Sequence, residues 1–480
     1  MLTKLRPVEG LTYVRDRPYR EEDRKRYYYL IALVALLLLL LLLGVYLATN
    51  MFAGSGVHDK DEDATTSPFA YYVVGKTTPR PPSTTASTGY GYTVCTIGRS
   101  GYSAAMFPVK EELCDFIIFT HVYSSNGAIL SAAGNASLET FLKVSTDNAG
   151  DPRTLFGLSH SPHALSTQLA QTHGGDVVAQ EFLTTAGALF GEARLSAIGV
   201  MGLVRTVQDF THDPKLVAWF QASPRRRRGM RRAECQAVAI SVFASRITNG
   251  TVFLGLRLKD KGQDLSSKPK LAKDVFETAK TMKVKLLVLV THNVRDMDKA
   301  SCISEPVSSW SSKAYKNTTR PALEHIFKFL EAGLRGEKEI EVTLSSTLVF
   351  VLFRMKNPVS KPLKFGEPCV RNHRMSMERY CVDGPSNVQI HADTLSAVGF
   401  DGDRLFSFEN AESIAKKMRQ FVMPLDDKVF RRVGWALFDL AFEVYDADSC
   451  RANETTATKF SRVAVAKPIL RENRMRKFNK

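Results

Sequence analysis

The stretch LSAIGVMGLV, residues 195–204, decides the fold. It carries no charge, and its apolar positions run on continuously instead of alternating with polar ones. A strand buried on both faces reads this way, and such strands belong to parallel sheets covered by helices. Seven other runs share the character: TVCTI (93–97), FIIFTHVYS (116–124), TLFGLSH (154–160), TVFLGLRL (251–258), KLLVLVTHN (285–293), IEVTLSSTLVFVLF (340–353) and VGWALFDLAF (433–442). Helical patterns lie between several of them: AQEFLTTAGALFGEA before the fourth run, KLAKDVFETAKTMK before the sixth, PALEHIFKFLEAGLRG before the seventh. Eight strands with helical crossovers predict an α/β fold, a TIM (β/α)8 barrel. An open doubly wound sheet is the alternative, but the first strand is not followed by a G-x-G-x-x-G turn.

The chain of 480 residues is 44% hydrophobic and 24% charged, with a net charge of +16. Near its start, YYLIALVALLLLLLLLGVYLAT (28–49) holds no charge. A spanning helix needs about 20 apolar residues, whereas the apolar core of a cleaved signal peptide has only about 7–15. This run is read as a retained signal anchor, one transmembrane helix. Arg24, Lys25 and Arg26 abut it, and an acidic cluster from Asp59 to Asp63 follows it. Positive residues stay cytoplasmic. The expected order is a cytoplasmic basic tail (1–27), the anchor (28–49), a Thr/Ser/Pro-rich stalk (50–90), the barrel (91–450) and a basic C-terminal tail (451–480). That places a single-pass type II protein in the plasma membrane or a secretory-pathway membrane, its barrel extracellular or lumenal.

Four sequons suit that placement, at Asn135, Asn249, Asn317 and Asn453. So do seven cysteines, all beyond the anchor, which predict disulfides and leave one thiol over. The spare is assigned to SPRRRRGMRRAEC (223–235), which carries six basic residues. This segment is read as a solvated loop or wrongly included coding sequence, ahead of a processing site at Arg225–Arg228 or a polyanion patch. Nucleic acid is not expected as a partner of an external domain.

Several segments carry a resemblance to glycoside hydrolase family 18, the chitinases and chitinase-like lectins. VCTIGRSGYSAAMFPVKEELCDFIIFTHVYSS is similar to the family's opening, a strand with a cysteine and a second cysteine just before the next strand. The resemblance implies a Cys95–Cys114 disulfide. LETFLKVSTDNAGDPRTLFGLSHS resembles the helix and third strand, and RLFSFENAESIAKKMRQFV with RRVGWALFDLAF the approach to the last strand, through Glu409, Asn410, Ser413, Ile414, Lys417 and Gly434. The match covers about residues 90 to 450 and is nearest to the divergent chitinase-like proteins of ticks and other arachnids.

The resemblance also locates the family's acids. The fourth strand should read F-D-G-x-D-x-D-x-E; here the aspartate positions fall on Ser196, Gly199 and Met201 and the glutamate position on Leu203. In the family that glutamate protonates the leaving oxygen while the substrate's acetamide attacks. Proton donation by a positioned acid contributes about 10²–10⁴ in rate, and leucine has no proton to give. A second register, FLGLRLKDK (253–261), puts Arg257, Lys259 and Lys261 at the acidic places and lacks the acid too. The first keeps eight strands and is preferred.

No catalytic residue is therefore expected, and the chain is read as an inactive homologue, a membrane-anchored carbohydrate-binding or adhesion protein. Tyr123, His160, His292 and Phe438 are the candidate binding residues, His292 standing for the family's acetamide-contacting tyrosine and Phe438 for its floor tryptophan. His121 and His163 also fall at strand ends, and Tyr102, Trp219 and Trp310 are further aromatics that could stack on a sugar. The spacing of the histidines matches no metal motif, so no metal and no cofactor are expected. The partners foreseen are the membrane and an N-acetylglucosamine-containing glycan or a protein ligand. Two alternatives stand: an active chitinase or N-acetylglucosaminidase with relocated acids, for which Asp401, Asp403 and Glu409 are on the wrong side of the last strand, and a type II receptor for a protein partner.

Overall fold

The computed structural model describes residues 91–98, 103–125, 128–131, 135–149, 151, 153–162, 184–187, 189–190, 195–206, 250–259, 269–292, 302–311, 322–335, 337, 339–359, 363–385, 387–422, 424–425, 432–443 and 460–478. The anchor, the stalk, the arginine-rich segment 223–235 and the sequons at Asn249, Asn317 and Asn453 lie outside them. So do Tyr102, His163, Trp219, Cys235 and Cys450. Among the described residues no helix is long and apolar enough to cross a membrane.

Eight parallel strands close on themselves. They are β1 (Thr93–Ile97), β2 (Phe116–Ser125), β4 (Leu155–His160), β5 (Ala197–Thr206), β6 (Thr251–Lys259), β7 (Leu286–Val290), β8 (Glu341–Thr347) and β14 (Val433–Phe438). Each pairs with its neighbour in the order β1-β14-β8-β7-β6-β5-β4-β2, and β2 pairs back to β1. This is a TIM barrel, and LSAIGVMGLV is its fourth strand. A short strand, β3 (Ala128–Ser131), folds back antiparallel on β2.

The strands are buried on both sides, as their composition requires. Val94, Phe116, Ile118, Ala197, Met201, Phe253, Leu286, Val288 and Ala436 fill the barrel. The alternate residues, among them Cys95, Ile117, Leu158, Ile198, Val200, Leu254, Leu287, Leu344 and Trp435, pack under the helices. Those helices include α1 (Asn135–Asp147), α2 (Pro269–Thr281) and α3 (Leu323–Leu334). The barrel interior is tight at β5 and β6: a Cβ on Gly199 would lie 1.9 Å from the Phe253 carbonyl oxygen.

Two expectations are corrected. IEVTLSSTLVFVLF is not one strand. It breaks at Leu348 and Val349 into β8 and β9 (Phe350–Met355), and β9 leaves the barrel. It joins β10 (Cys369–Met375), β11 (Val388–Ile390), β12 (Ala397–Asp401) and β13 (Arg404–Phe408) in an antiparallel sheet ordered β10-β9-β13-β12-β11. A short helix, α4 (Met377–Asp383), covers it, with Tyr380 stacked on Phe350 at 4.2 Å. This inserted sheet precedes α5 (Ala411–Val422) and β14. The second correction concerns the C-terminal tail. From Phe460 it forms α6 (Ser461–Ala464) and α7 (Ala466–Phe478), and Phe460, Val463, Ala466, Ile469 and Leu470 join the main core.

Cys95 pairs with Cys114, as the resemblance implied, and Cys302 pairs with Cys369 at the inserted sheet. Cys381 is also disulfide-bonded.

Candidate functional site

Barrel sites form at the C-terminal ends of the strands, where successive loops converge. On β5 the inward places belong to Ala197 and Met201, members of the interior cluster, with Gly199 between them. A bulge follows Val200, where Gly202 adopts φ +77°. Beyond it Leu203 stands level with Leu256 of the outer layer, and Val204 level with Arg257. The bulge therefore moves the frame by one residue at the place the resemblance gives to a glutamate. Neither Leu203 nor Val204 has an ionisable group to donate a proton. Ser196 lies just before the strand, its N–H donated to the Phe156 carbonyl at 2.7 Å.

The ends of β8, β14 and β1 are stitched by hydroxyls. Thr347 donates to Asp439 Oδ2 at 3.0 Å, and the Asp439 N–H donates to Thr96 Oγ1 at 3.1 Å. Asp439 takes the left-handed conformation, φ 69°. Burial pushes its carboxyl upward against the opposing pull of Arg374, the Thr347 hydroxyl and Arg257. In strand order β14 is four places from β5 in either direction, so Asp439 stands across the barrel from the family's acid position.

Of the candidate binding residues, His292 and Phe438 come together. Their ring centroids are 4.6 Å apart, and His292 Nδ1 meets Ser345 Oγ at 2.7 Å. Ser345 also accepts from the Thr291 N–H at 2.8 Å, which fixes the end of β7 on β8. Tyr123 is half-buried on the β2–β3 ribbon, opposite Leu130.

His160 does not join them. It stands level with Val122 and Val200, both in the outer layer, and is fully buried. Its Nδ1 lies 3.1 Å from the Ser161 carbonyl. Burial holds its pKa down at about 4. The inward residue at this strand end is Ser159, which sequence reading passed over. Ser159 Oγ accepts the Met201 N–H at 2.8 Å and lies 3.2 Å from His121 Nδ1. His121 is also depressed to about 4, by burial first and then by the charge of Arg257. Arg257 entered the sequence reading only through the second register. Strict alternation along β6, with Phe253, Gly255 and Arg257 on one face, was the available signal.

The acids considered for relocation are occupied elsewhere. Asp401 pairs with Arg404, and Asp403 with Arg354 at 3.0 Å, both on the exposed hairpin of the inserted sheet. Glu409 is wholly buried. It accepts from Ser308 at 2.6 Å, from Ser413 at 2.7 Å and from Lys417 at 2.5 Å. Lys417, equally buried, has its pKa lowered by burial against the attraction of Glu409. This is a structural ion pair and explains the Glu409…Ser413…Lys417 spacing noted in the sequence. Asn135, the described sequon, is exposed at the start of α1.

No family model matches this sequence, and no curated protein matches it. Solved structures do. An immunomodulatory active chitinase from Trichuris suis aligns with 79% of this chain and all of its own, at TM-score 0.55 and 9% identity. This chain has the fold of the chitinases and chitinase-like proteins. Human YKL-39, described as a pseudo-chitinase with retained chitooligosaccharide binding, aligns at TM-score 0.55 and 11% identity over 79% of this chain and 99% of its own. A chitinase-like agglutinin from Robinia pseudoacacia aligns at TM-score 0.50 and 12% identity over 77% and 99%. At such identities the chitinase-like likeness is one of fold, and the fold serves cleaving and non-cleaving proteins alike.

Proposed function

We propose that this protein is a chitinase-like pseudoenzyme of the divergent arachnid kind, a carbohydrate-binding or adhesion protein that holds a glycan without cutting it. The observation that carries the reading is the fourth barrel strand. Its inward places are Ala197, Gly199 and Met201, and a carboxylate at 199 would collide with the backbone of β6. A pseudo-chitinase and an agglutinin among the proteins of like fold support a binding role. The half-buried Phe438 ring, tilted against His292, gives a sugar one apolar face. The apolar run 28–49 anchors the chain in the plasma membrane or a secretory-pathway membrane as a type II protein, with the glycosylated barrel outside.

The test is a titration of the full-length protein in detergent micelles with N-acetylglucosamine oligomers of increasing length. Saturable binding is expected, weakened up to about tenfold by Phe438→Ala, the loss of one stacking face. No binding by any oligomer would overturn the sugar reading and leave a type II receptor for a protein partner. Protease treatment of intact cells expressing the chain should remove a C-terminal tag and spare an N-terminal one.

A further inference from the structure

The β2–β3 ribbon ends the barrel sheet in an open edge. β3 pairs with β2 from Ala128 opposite Ser125 to Ser131 opposite Val122, and among the described residues no strand lies beyond it. Ala128 is exposed, and Ile129 and Leu130 are half-buried. Such an edge offers unpaired N–H and C=O groups to another chain, and proteins blunt it with charge, proline or a covering element. β3 has neither charge nor proline. From Phe116 to Leu138 the chain holds no Asp, Glu, Lys, Arg or Pro. The edges of the inserted sheet differ: β10 carries Arg371, His373 and Arg374, and β11 has only three residues. A second copy can therefore add to β3 antiparallel, apolar side chains against apolar ones, with no like charges opposed. The sequence supplies a covering group close by, the sequon Asn135-Ala-Ser. Asn135 follows Ser131 by four residues, which span at most about 14 Å. It is exposed, and its helix α1 packs beside β3.

We propose that an N-linked glycan on Asn135 covers the β3 edge and keeps the chain from pairing edge to edge with a second copy. This rests on the external placement proposed above and goes beyond it. In the modification the Asn135 amide nitrogen bonds to the anomeric carbon of an oligosaccharide carried on a lipid pyrophosphate. The bond from that carbon to the phosphate breaks, and the amide nitrogen gives up one proton. A bulky, hydrated glycan there occupies the space a partner strand needs. Pairing of two short edges buries less than the roughly 1,200–2,000 Å² of a stable interface, so the bare edge associates weakly and one glycan is enough to prevent it.

The test makes the full-length protein in a eukaryotic secretory host and compares it, in detergent micelles, with Asn135→Gln and with Ser137→Ala, which breaks the same sequon at its other end. Intact mass should show each variant lacking one glycan. Sedimentation should show the glycosylated protein as a monomer and both variants self-associating at least about tenfold more tightly. Adding Ala128→Lys, a charge at an exposed place on the edge, should return either variant to the monomer. No glycan on Asn135 would overturn the proposal, and the protease test above then shows whether the external placement fails with it or stands. Equal self-association with and without the glycan would overturn the shielding. Association that survives Ala128→Lys would place the contact on another surface and overturn β3 as its seat.

Discussion

The guanidinium of Arg462 stands 4.6 Å from the centroid of the Phe350 ring, and three parts of the chain meet at that contact. Phe350 opens the inserted sheet, Arg462 belongs to the C-terminal helices, and the arginine's ion-pair partner, Glu443, follows the last barrel strand. The same side chain donates to the Leu348 carbonyl at 2.9 Å and to the Glu409 carbonyl at 3.2 Å. Arg462 and Glu443 are each only 2% exposed in their side chains. Removing one partner of such a pair leaves a buried charge alone, which costs about 3–5 kcal/mol. Arg462→Met should lower the free energy of urea unfolding by that amount, and Arg462→Met with Glu443→Leu should recover part of it.

Glu341, the first residue of β8, gives stability a pH dependence near neutrality. Burial raises its carboxyl to about 7, Arg432 pulling the other way, and among the described residues its Oε2 finds no hydrogen bond. A raised carboxyl favours the protonated folded state. Its contribution is full below the ordinary value of 4.5 and is lost as pH rises through about 7. Glu341→Gln should therefore stabilise the protein by about 1–2 kcal/mol at pH 8, after allowance for partial exposure, and leave it unchanged at pH 4. Thermal melts at the two pH values read the difference. A larger gain at pH 4 would contradict the assignment.

Gly199 marks how closely β5 and β6 approach. With the Phe253 carbonyl 1.9 Å from where a Cβ would sit, even alanine forces the strands apart. Gly199→Ala should cost about 1–3 kcal/mol or more in chemical denaturation. A neutral result would mean that the strand could accept an aspartate after all.

His121 and His160 should not titrate at physiological pH, because burial holds both near 4. Imidazole NMR shifts followed from pH 8 to pH 5.5 should stay flat for these two residues. A midpoint near 6.5 for His160 would place it in solvent and restore it to the binding site.

The barrel was legible in the sequence because strands buried on both faces have a continuous apolar signature that little else shares. Residues 195–204 and six of the other runs each supply a barrel strand, and 340–353 supplies β8 before its second half leaves for the inserted sheet as β9. The inserted sheet was not legible. Ser346 to Phe350 passes from one sheet to the next through Leu348 and Val349, without glycine, proline or a polar turn to mark the exit. The C-terminal helices hid behind their basic residues. Arg462 and Lys467 look like solvent-facing charges until Glu443 and Asp115 are found beside them, Lys467 to Asp115 at 2.8 Å. The resemblance singled out His292 and Phe438, and the fold sets their rings 4.6 Å apart. His160 was misplaced because position alone ignores the alternation that puts Phe156, Leu158 and His160 on the outer face and Ser159 on the inner one.

The most direct measurement of the central claim is the release of new reducing ends from chitotetraose by the full-length protein, against a boiled control. We expect none above that control, since the acid position on β5 carries no proton to donate and Asp439 stands across the barrel. Sustained cleavage that disappears in Asp439→Asn would contradict the pseudoenzyme reading and make Asp439 a relocated acid.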